Sequence, residues 1–195
     1  MTFIAPIVEG QGEQYAVKRL LGRIAFDVSP QAGLRVNEPI RIKAGSFLNN
    51  GGYFQKYMSL AASKARQQPD GHVLILLDCE DDLPCRLGPD LLSRARAVAA
   101  DINTIVALAY REYETWFLAA AQSLRDVEGL SAQLTCPVRP QAIRDAKGWL
   151  GSRMPHGYDP VSHQLALTSR FDLTAARTMD SFDRLYRKIA ALVAA

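Results

Sequence analysis

The segment His72-Val-Leu-Ile-Leu-Leu77, followed directly by Asp78, is the stretch that decides the fold of this chain. It is a continuous aliphatic run with turn residues on both sides. Runs of this kind are typical of strands that are buried on both faces of a parallel sheet. Two further runs, Phe3 to Val8 and Thr104 to Ala109, have the same character, so we predict that they are strands of the same sheet.

Helical patterns separate these strands. We predict a fourth, short strand at Ile40 to Lys43. The predicted helices cover Gln14 to Gly22, Tyr53 to Arg66, a segment that opens at Gly88-Pro89-Asp90, and Glu114 to Leu124. Strands that alternate with helices indicate an α/β protein with a mainly parallel central sheet flanked by helices.

After residue 124 the periodicity weakens. Gln141 to Leu150 predicts a short helix, and Asp180 to Val193 predicts a strongly amphipathic last helix with Asp180 or Ser181 as its cap. We therefore divide the chain into a core at 1–125 and a helical C-terminal extension at 126–195, packed together as one compact domain.

Composition narrows the class of protein. The chain has 195 residues, a net charge of +3 and 48% hydrophobic residues, values of an ordinary globular protein. No apolar run approaches the roughly 18 residues of a membrane-spanning helix, and the first residues lack a signal-peptide pattern. Three cysteines without paired zinc spacing indicate reduced thiols. We predict a cytoplasmic protein that does not bind membranes.

Acidic residues follow all three long strands. They are Glu9 and Glu13; Asp78, Glu80, Asp81 and Asp82; and Glu112 and Glu114. Ligands of open parallel sheets bind beyond the carboxyl ends of the strands. Clustered carboxylates repel one another unless a cation joins them, so the pattern predicts a site for one or two divalent metal ions. Such a site on this scaffold indicates phosphate chemistry.

Other phosphate-binding motifs are incomplete. Gly10-Gln-Gly12 lacks the third glycine of a dinucleotide fingerprint, and no Gly-Lys-Ser/Thr loop is present. Any single acid could be a helix cap or a solvated loop residue. The joint placement of the acids at three strand ends is the specific signal.

Three motifs in order resemble those of the Toprim fold. Ile7-Val-Glu-Gly10, with Glu13 beyond it, resembles the first motif, and Leu76-Leu-Asp-Cys-Glu-Asp-Asp82 resembles the Asp-x-Asp motif. Arg111-Glu-Tyr-Glu-Thr-Trp-Phe-Leu118 resembles the Glu-x-Glu-x-Trp segment of small stand-alone bacterial Toprim-like proteins, relatives of the overcoming-lysogenisation-defect nucleases. Ser181-Phe-Asp-Arg-Leu185 also resembles that group.

The resemblance implies a Toprim-like Rossmannoid fold and Mg²⁺- or Mn²⁺-dependent cleavage of phosphodiester bonds in DNA or RNA. It implies that the catalytic residues are Glu9, Glu13 and Asp78. The implied metal ligands are Glu9, Asp78, Glu80, Asp82, Glu112 and Glu114. Glu80 stands where the family has an aspartate, which is a departure from the motif.

Two alternatives remain open. Relatives often act beside a separate ATPase in defence against phage, so the chain could be an effector subunit that is inactive without an ATPase partner. A metal-dependent phosphatase is the second alternative. The sequence leaves open whether the substrate is DNA or RNA, and whether the chain forms a homo-oligomer.

Overall fold

A computed structural model describes residues 1–194 of the chain. Its centre is a parallel sheet in the order β2-β1-β4-β5, with the short β3 also paired to β1. The strands are β1 (Thr2–Val8), β2 (Leu34–Val36), β3 (Ile40–Arg41), β4 (Gly71–Asp78) and β5 (Asn103–Ala109). All four strand pairings are parallel, which confirms the predicted sheet. The three-residue β2 was not predicted, since it is too short to give a pattern.

Pro6 lies inside β1 without breaking the sheet. The backbone N–H of Phe3 donates towards β4, to Asp70, and that of Thr2 donates to the opposite side, to Gly33. This alternation turns the nitrogen of Pro6 to the side of β2 and β3. The two short strands leave a gap there, from residue 37 to 39, so no ladder hydrogen bond is lost.

Helices cover both faces of the sheet. They are α1 (Gln11–Val28), α2 (Ala44–Asn49), α3 (Gly51–Arg66), α4 (Pro84–Val98), α5 (Thr115–Ala119), α6 (Ala146–Gly151), α7 (Pro160–Arg170), α8 (Leu173–Ala176) and α9 (Asp180–Val193). One hydrophobic core lies between the sheet and α2, α3 and α4. The other joins the opposite face to α1, α5 and the helices that follow it. None of the helices in residues 1–194 is both long and apolar enough to cross a membrane.

Some predicted helix ends are wrong. The helix predicted to open at Gly88 begins at Pro84, and Pro89 lies inside it. Pro84 fits the first turn because its fixed φ is already helical. The bounds of α9 are as predicted, but Met179 is its N-cap and no side chain caps it. The hydroxyl of Ser181 instead accepts a hydrogen bond from the indole of Trp116, at 2.9 Å.

The C-terminal region is helical, as predicted, and shares its hydrophobic core with the rest of the chain. Helix α7, which the sequence did not predict, packs along α1. Phe171 and Phe182 from this region stack edge-on against each other and against Phe117 and Trp116 of α5. The boundary at residue 125 therefore crosses a continuous core.

Candidate functional site

The predicted acids gather at the carboxyl edge of the sheet. From β1 the chain continues outward to β2 on one side, and from β4 it continues outward to β5 on the other. The crevice between β1 and β4 is thus the topological switch point, where ligands of open α/β sheets bind. Glu9 follows β1 directly, and Asp78 is the last residue of β4.

Lys147 of α6 lies among three of the carboxylates. Its ammonium nitrogen is 3.1 Å from Oε1 of Glu112, 3.2 Å from Oε2 of Glu114 and 3.7 Å from Oδ2 of Asp78. Glu114 is fully buried, whereas the side chain of Lys147 is 36% exposed. Lys147 therefore serves as the shared counter-ion of this group, and it reaches the group from the solvent side.

Buried polar partners hold two of the glutamates. The hydroxyl of Tyr158 donates to Oε1 of Glu114 at 2.9 Å, and the amide of Gln164 donates to Oε1 of Glu13 at 2.9 Å. Oε2 of Glu13 is buried and accepts no hydrogen bond in residues 1–194, whereas buried Oε2 of Glu114 has only the ammonium of Lys147 beside it, at 3.2 Å. A buried oxygen without a donor is costly, so Oε2 of Glu13 marks a place where a ligand would be favourable.

Two glycines at the start of α1 make room for these side chains: Gly10 is the N-cap of the helix, and Gly12 lies in its first turn. A Cβ at Gly10 would stand 1.8 Å from Oε2 of Glu13, and a Cβ at Gly12 would stand 1.8 Å from Oε1 of Gln164. The turn Gly10-Gln-Gly12 is thus shaped to seat a carboxylate and an amide. This explains why glycines occur there without the remainder of a dinucleotide fingerprint.

Burial and mutual repulsion both oppose ionisation of the acids in this site. Burial, with the charge of Glu114 next, holds the pKa of Asp78 well above its usual range. Burial likewise raises the pKa of Glu114, against the lowering effect of Lys147. Burial and the charge of Glu80 raise the pKa of Glu9. Burial alone would lower the pKa of Lys147, but the surrounding carboxylates raise it. One ammonium group therefore faces several carboxylates that repel one another.

Three of the predicted metal ligands have other surroundings than those just described: Glu112, Glu80 and Asp82. Glu112 accepts hydrogen bonds from the backbone N–H groups of Ala146 and Lys147, so it anchors the start of α6. Glu80 has a left-handed backbone with φ 44°, so the extended geometry that would align it with Asp78 ends before it. Its charge nevertheless reaches Glu9. Asp82 is exposed on the loop before α4, and nothing in residues 1–194 joins it to the other acids by a hydrogen bond or ion pair.

Sequence reasoning missed Lys147, Tyr158 and Gln164. All three come from the region after residue 125, where the periodicity is weak. The number of acids indicates that a cation must lie near them. The sequence does not indicate which lysine or arginine that cation is. Asp145, which caps α6 by accepting from Gly148, was a local signal for the helix that carries Lys147.

Comparison of the sequence with known protein families identifies a family for this chain. The model of a family described as Domain of unknown function (DUF4276) matches residues 8–190, nearly the whole chain. The chain belongs to the DUF4276 family. No curated protein and no solved structure shows a significant match. The family description names no reaction, so only the side chains of this DUF4276 member indicate its chemistry.

The ligand chemistry of the site suits a divalent metal ion, but the present positions of the side chains do not. Carboxylate oxygens are the ligands that Mg²⁺ and Mn²⁺ prefer, so Oε2 of Glu13, which has no donor, and Oε2 of Glu114, which Lys147 contacts, are suitable metal ligands. However, no group of three or more Asp, Glu, His or Cys side chains in residues 1–194 is arranged to hold a metal ion as it stands. Lys147 lies where their charges converge. The donor chemistry fits a metal, and the positions of the side chains require Lys147 to give way.

Proposed function

We propose that this protein is a Mg²⁺- or Mn²⁺-dependent nuclease of the Toprim type, which hydrolyses phosphodiester bonds in DNA or RNA. The observation that carries the proposal is the convergence of Asp78, Glu13 and Glu114 at the switch point of a parallel sheet, with Glu9 beside them. Lys147 is the one cation in residues 1–194 that forms an ion pair with Asp78 or Glu114. A buried excess of carboxylates is costly unless it serves to bind a cation.

Glu9, Glu13, Asp78 and Glu114 would hold the metal ion. When bound, the ion supplies a Lewis acid for the phosphate and stabilises negative charge on the leaving oxygen. Glu9 is partly exposed and its pKa is raised, so it is suited to take a proton from the attacking water. Tyr158 and Gln164 keep the buried glutamates in place by donating to them.

Cationic side chains at the rim support a nucleic-acid substrate. Arg41 ends β3 and contacts the backbone carbonyl of Glu9 through Nε, at 3.4 Å. On the opposite side of the crevice, Arg111 and Arg144 both pair with Asp81. The side chain of Arg144 is 68% exposed. Contacts from arginines to phosphates position a nucleic acid without reading its sequence, and Arg111 and Arg144 would make them by exchanging Asp81 for phosphate.

The test is cleavage of supercoiled plasmid DNA and of a labelled RNA in Mg²⁺, Mn²⁺, Ca²⁺ or EDTA. We expect cutting in Mg²⁺ or Mn²⁺ that falls by about 10²-fold or more in Glu9→Gln and Asp78→Asn, since each change removes a group that acts in the transition state. A phosphomonoester substrate run in parallel distinguishes a phosphatase.

Asp82→Asn is the matched control. It makes the same chemical change as Asp78→Asn four residues away, at an exposed position outside the cluster. Its activity should equal that of the wild type. Cutting that persists in both Glu9→Gln and Asp78→Asn, or that is lost equally in Asp82→Asn, would show that the nucleolytic site is elsewhere.

A second candidate is an effector subunit that becomes active only with a partner ATPase. The position of Lys147 favours it, because the carboxylates already have an internal counter-ion. Under this proposal the isolated chain is inert in every metal, and an ATPase copurifies with the chain from its own cells. Metal-dependent cutting by the purified chain alone would remove this candidate.

A further inference from the structure

The two edges of the sheet differ in how well they can accept another strand. On one side, β2 and β3 contribute three and two residues with a gap between them. On the other side, β5 is a continuous strand of seven residues, and no strand of residues 1–194 pairs with its outer edge. Open edges of this length pair readily with added strands.

The outer edge of β5 forms the floor of a cavity of about 830 Å³. Helix α4 lies on one side and α9 on the other. We call this cavity the edge groove; the lining residues used below are Pro89 and Leu92 of α4, Val106 and Leu108 of β5, and Arg184 and Lys188 of α9. Its volume is that of a typical ligand cleft.

Backbone groups of β5 point into the edge groove. The carbonyl of Ala109 accepts from Cys79, which places the backbone groups of Ala109 on the β4 side. Since these groups alternate along a strand, those of Val106 and Leu108 face outward. The contact from Lys188 Nζ to the Val106 carbonyl, at 3.0 Å, agrees with this direction. A peptide could therefore complete this edge with main-chain hydrogen bonds.

The positive charge of Arg184 and Lys188 in the edge groove favours a ligand with acidic side chains. Arg184 and Lys188 lie close enough to influence each other, since burial and the charge of Arg184 lower the pKa of Lys188. Neither forms an ion pair with a carboxylate in residues 1–194, whereas Arg187 on the same helix pairs with Asp183. Asp180 is the one acid that lines the cavity. Two unpaired cations beside apolar walls complement an acidic and partly apolar segment.

We propose that the edge groove binds an extended acidic peptide segment of a partner protein, which adds to the sheet as a strand beside β5. Its backbone pairs with Leu108 and, once Lys188 turns from the Val106 carbonyl to a carboxylate of the peptide, with Val106. Alternate apolar side chains contact Leu92 and Pro89, and its carboxylates pair with Arg184 and Lys188. This site is separate from the carboxylate cluster and does not depend on nuclease activity.

The test uses a fluorescein-labelled peptide of about nine residues in which valine and glutamate alternate, because nine residues span a strand of this length. Fluorescence anisotropy with the whole protein should show saturable binding. A peptide with lysine in place of glutamate should bind at least about tenfold more weakly. A peptide methylated at alternate backbone nitrogens should not bind. The acidic peptide should also slow amide exchange at Val106 and Leu108.

Arg184→Glu should weaken binding of the acidic peptide at least about tenfold. Arg187→Glu is the matched control, because it makes the same change of charge on the same helix, outside the cavity. Equal effects of the two changes, equal binding of the methylated peptide, or no saturable binding would each overturn the proposal. A concentration-dependent dimer that Arg184→Glu abolishes would assign the groove to a second copy of the chain and overturn it too.

Discussion

Replacing Lys147 with methionine is the most informative single perturbation of the candidate site. Methionine keeps an unbranched side chain of similar length and removes the charge. Removing one partner of a fully buried ion pair costs about 3–5 kcal/mol, whereas an exposed pair contributes about 1 kcal/mol or less. Lys147 is 36% exposed, but Glu114 is fully buried and Asp78 is 17% exposed. We therefore expect a loss of about 2–3 kcal/mol, between these limits.

For a chain of 195 residues, that loss corresponds to a fall in Tm of about 4–12 °C. The assay is thermal and urea unfolding in EDTA and in Mn²⁺. If the carboxylates bind a divalent cation, Mn²⁺ should raise the Tm of Lys147→Met by more than it raises that of the wild type, because no lysine competes. Lys18→Met is the control; Lys18 has an exposed ion pair with Glu38.

Two results would refute this reasoning. A Tm of Lys147→Met no lower than that of Lys18→Met would mean that Lys147 does not balance the buried carboxylates. An equal response of Lys147→Met and the wild type to Mn²⁺ would mean that the lysine and the cation do not compete for the same charges.

Two further substitutions test the packing around Glu13 and Glu114, with the free energy of unfolding measured in urea. Gly12→Ala should destabilise the fold by about 1–3 kcal/mol, because its Cβ would meet the side chain of Gln164. Gly22→Ala, in the same helix with nothing within 4 Å, should instead stabilise it by about 0.5–1 kcal/mol, and equal effects of the two would contradict the packing of the turn. Tyr158→Phe leaves Oε1 of Glu114 without its donor and should cost about 1–3 kcal/mol, whereas the same change at a solvent-exposed tyrosine should cost nothing measurable.

The three long strands and the acids that follow them could be predicted from local pattern alone. The run that ends at Leu77 identifies a buried strand, and Asp78 then stands at the carboxyl edge because parallel strands share that edge. The same logic brings Glu114 to the site, although it lies beyond β5 in a turn. These are consequences of strand direction and need no knowledge of tertiary packing.

The partners of the acids could not be predicted in this way. Helix α7 buries Gln164 and Thr168 beside Leu167, so its inner face is half polar and gives a weak hydrophobic period. These polar residues are buried because Glu13 and Tyr113 provide hydrogen bonds, at 2.9 and 3.0 Å respectively. The polar groups on such a face find hydrogen-bond partners only through tertiary contacts, and local sequence patterns do not reveal those contacts.

The dependence of the carboxylate cluster on Lys147, Tyr158 and Gln164 also sets the timing of its assembly. A ribosome makes the chain from its N-terminus, so the five strands and the acids of the cluster emerge before α6 and α7, the helices that bear Lys147 and Gln164. Until α6 emerges, the acidic edge stands open to water without its lysine. A product that terminates between residues 114 and 164 thus carries every acid of the cluster but lacks at least one of the side chains that hold them.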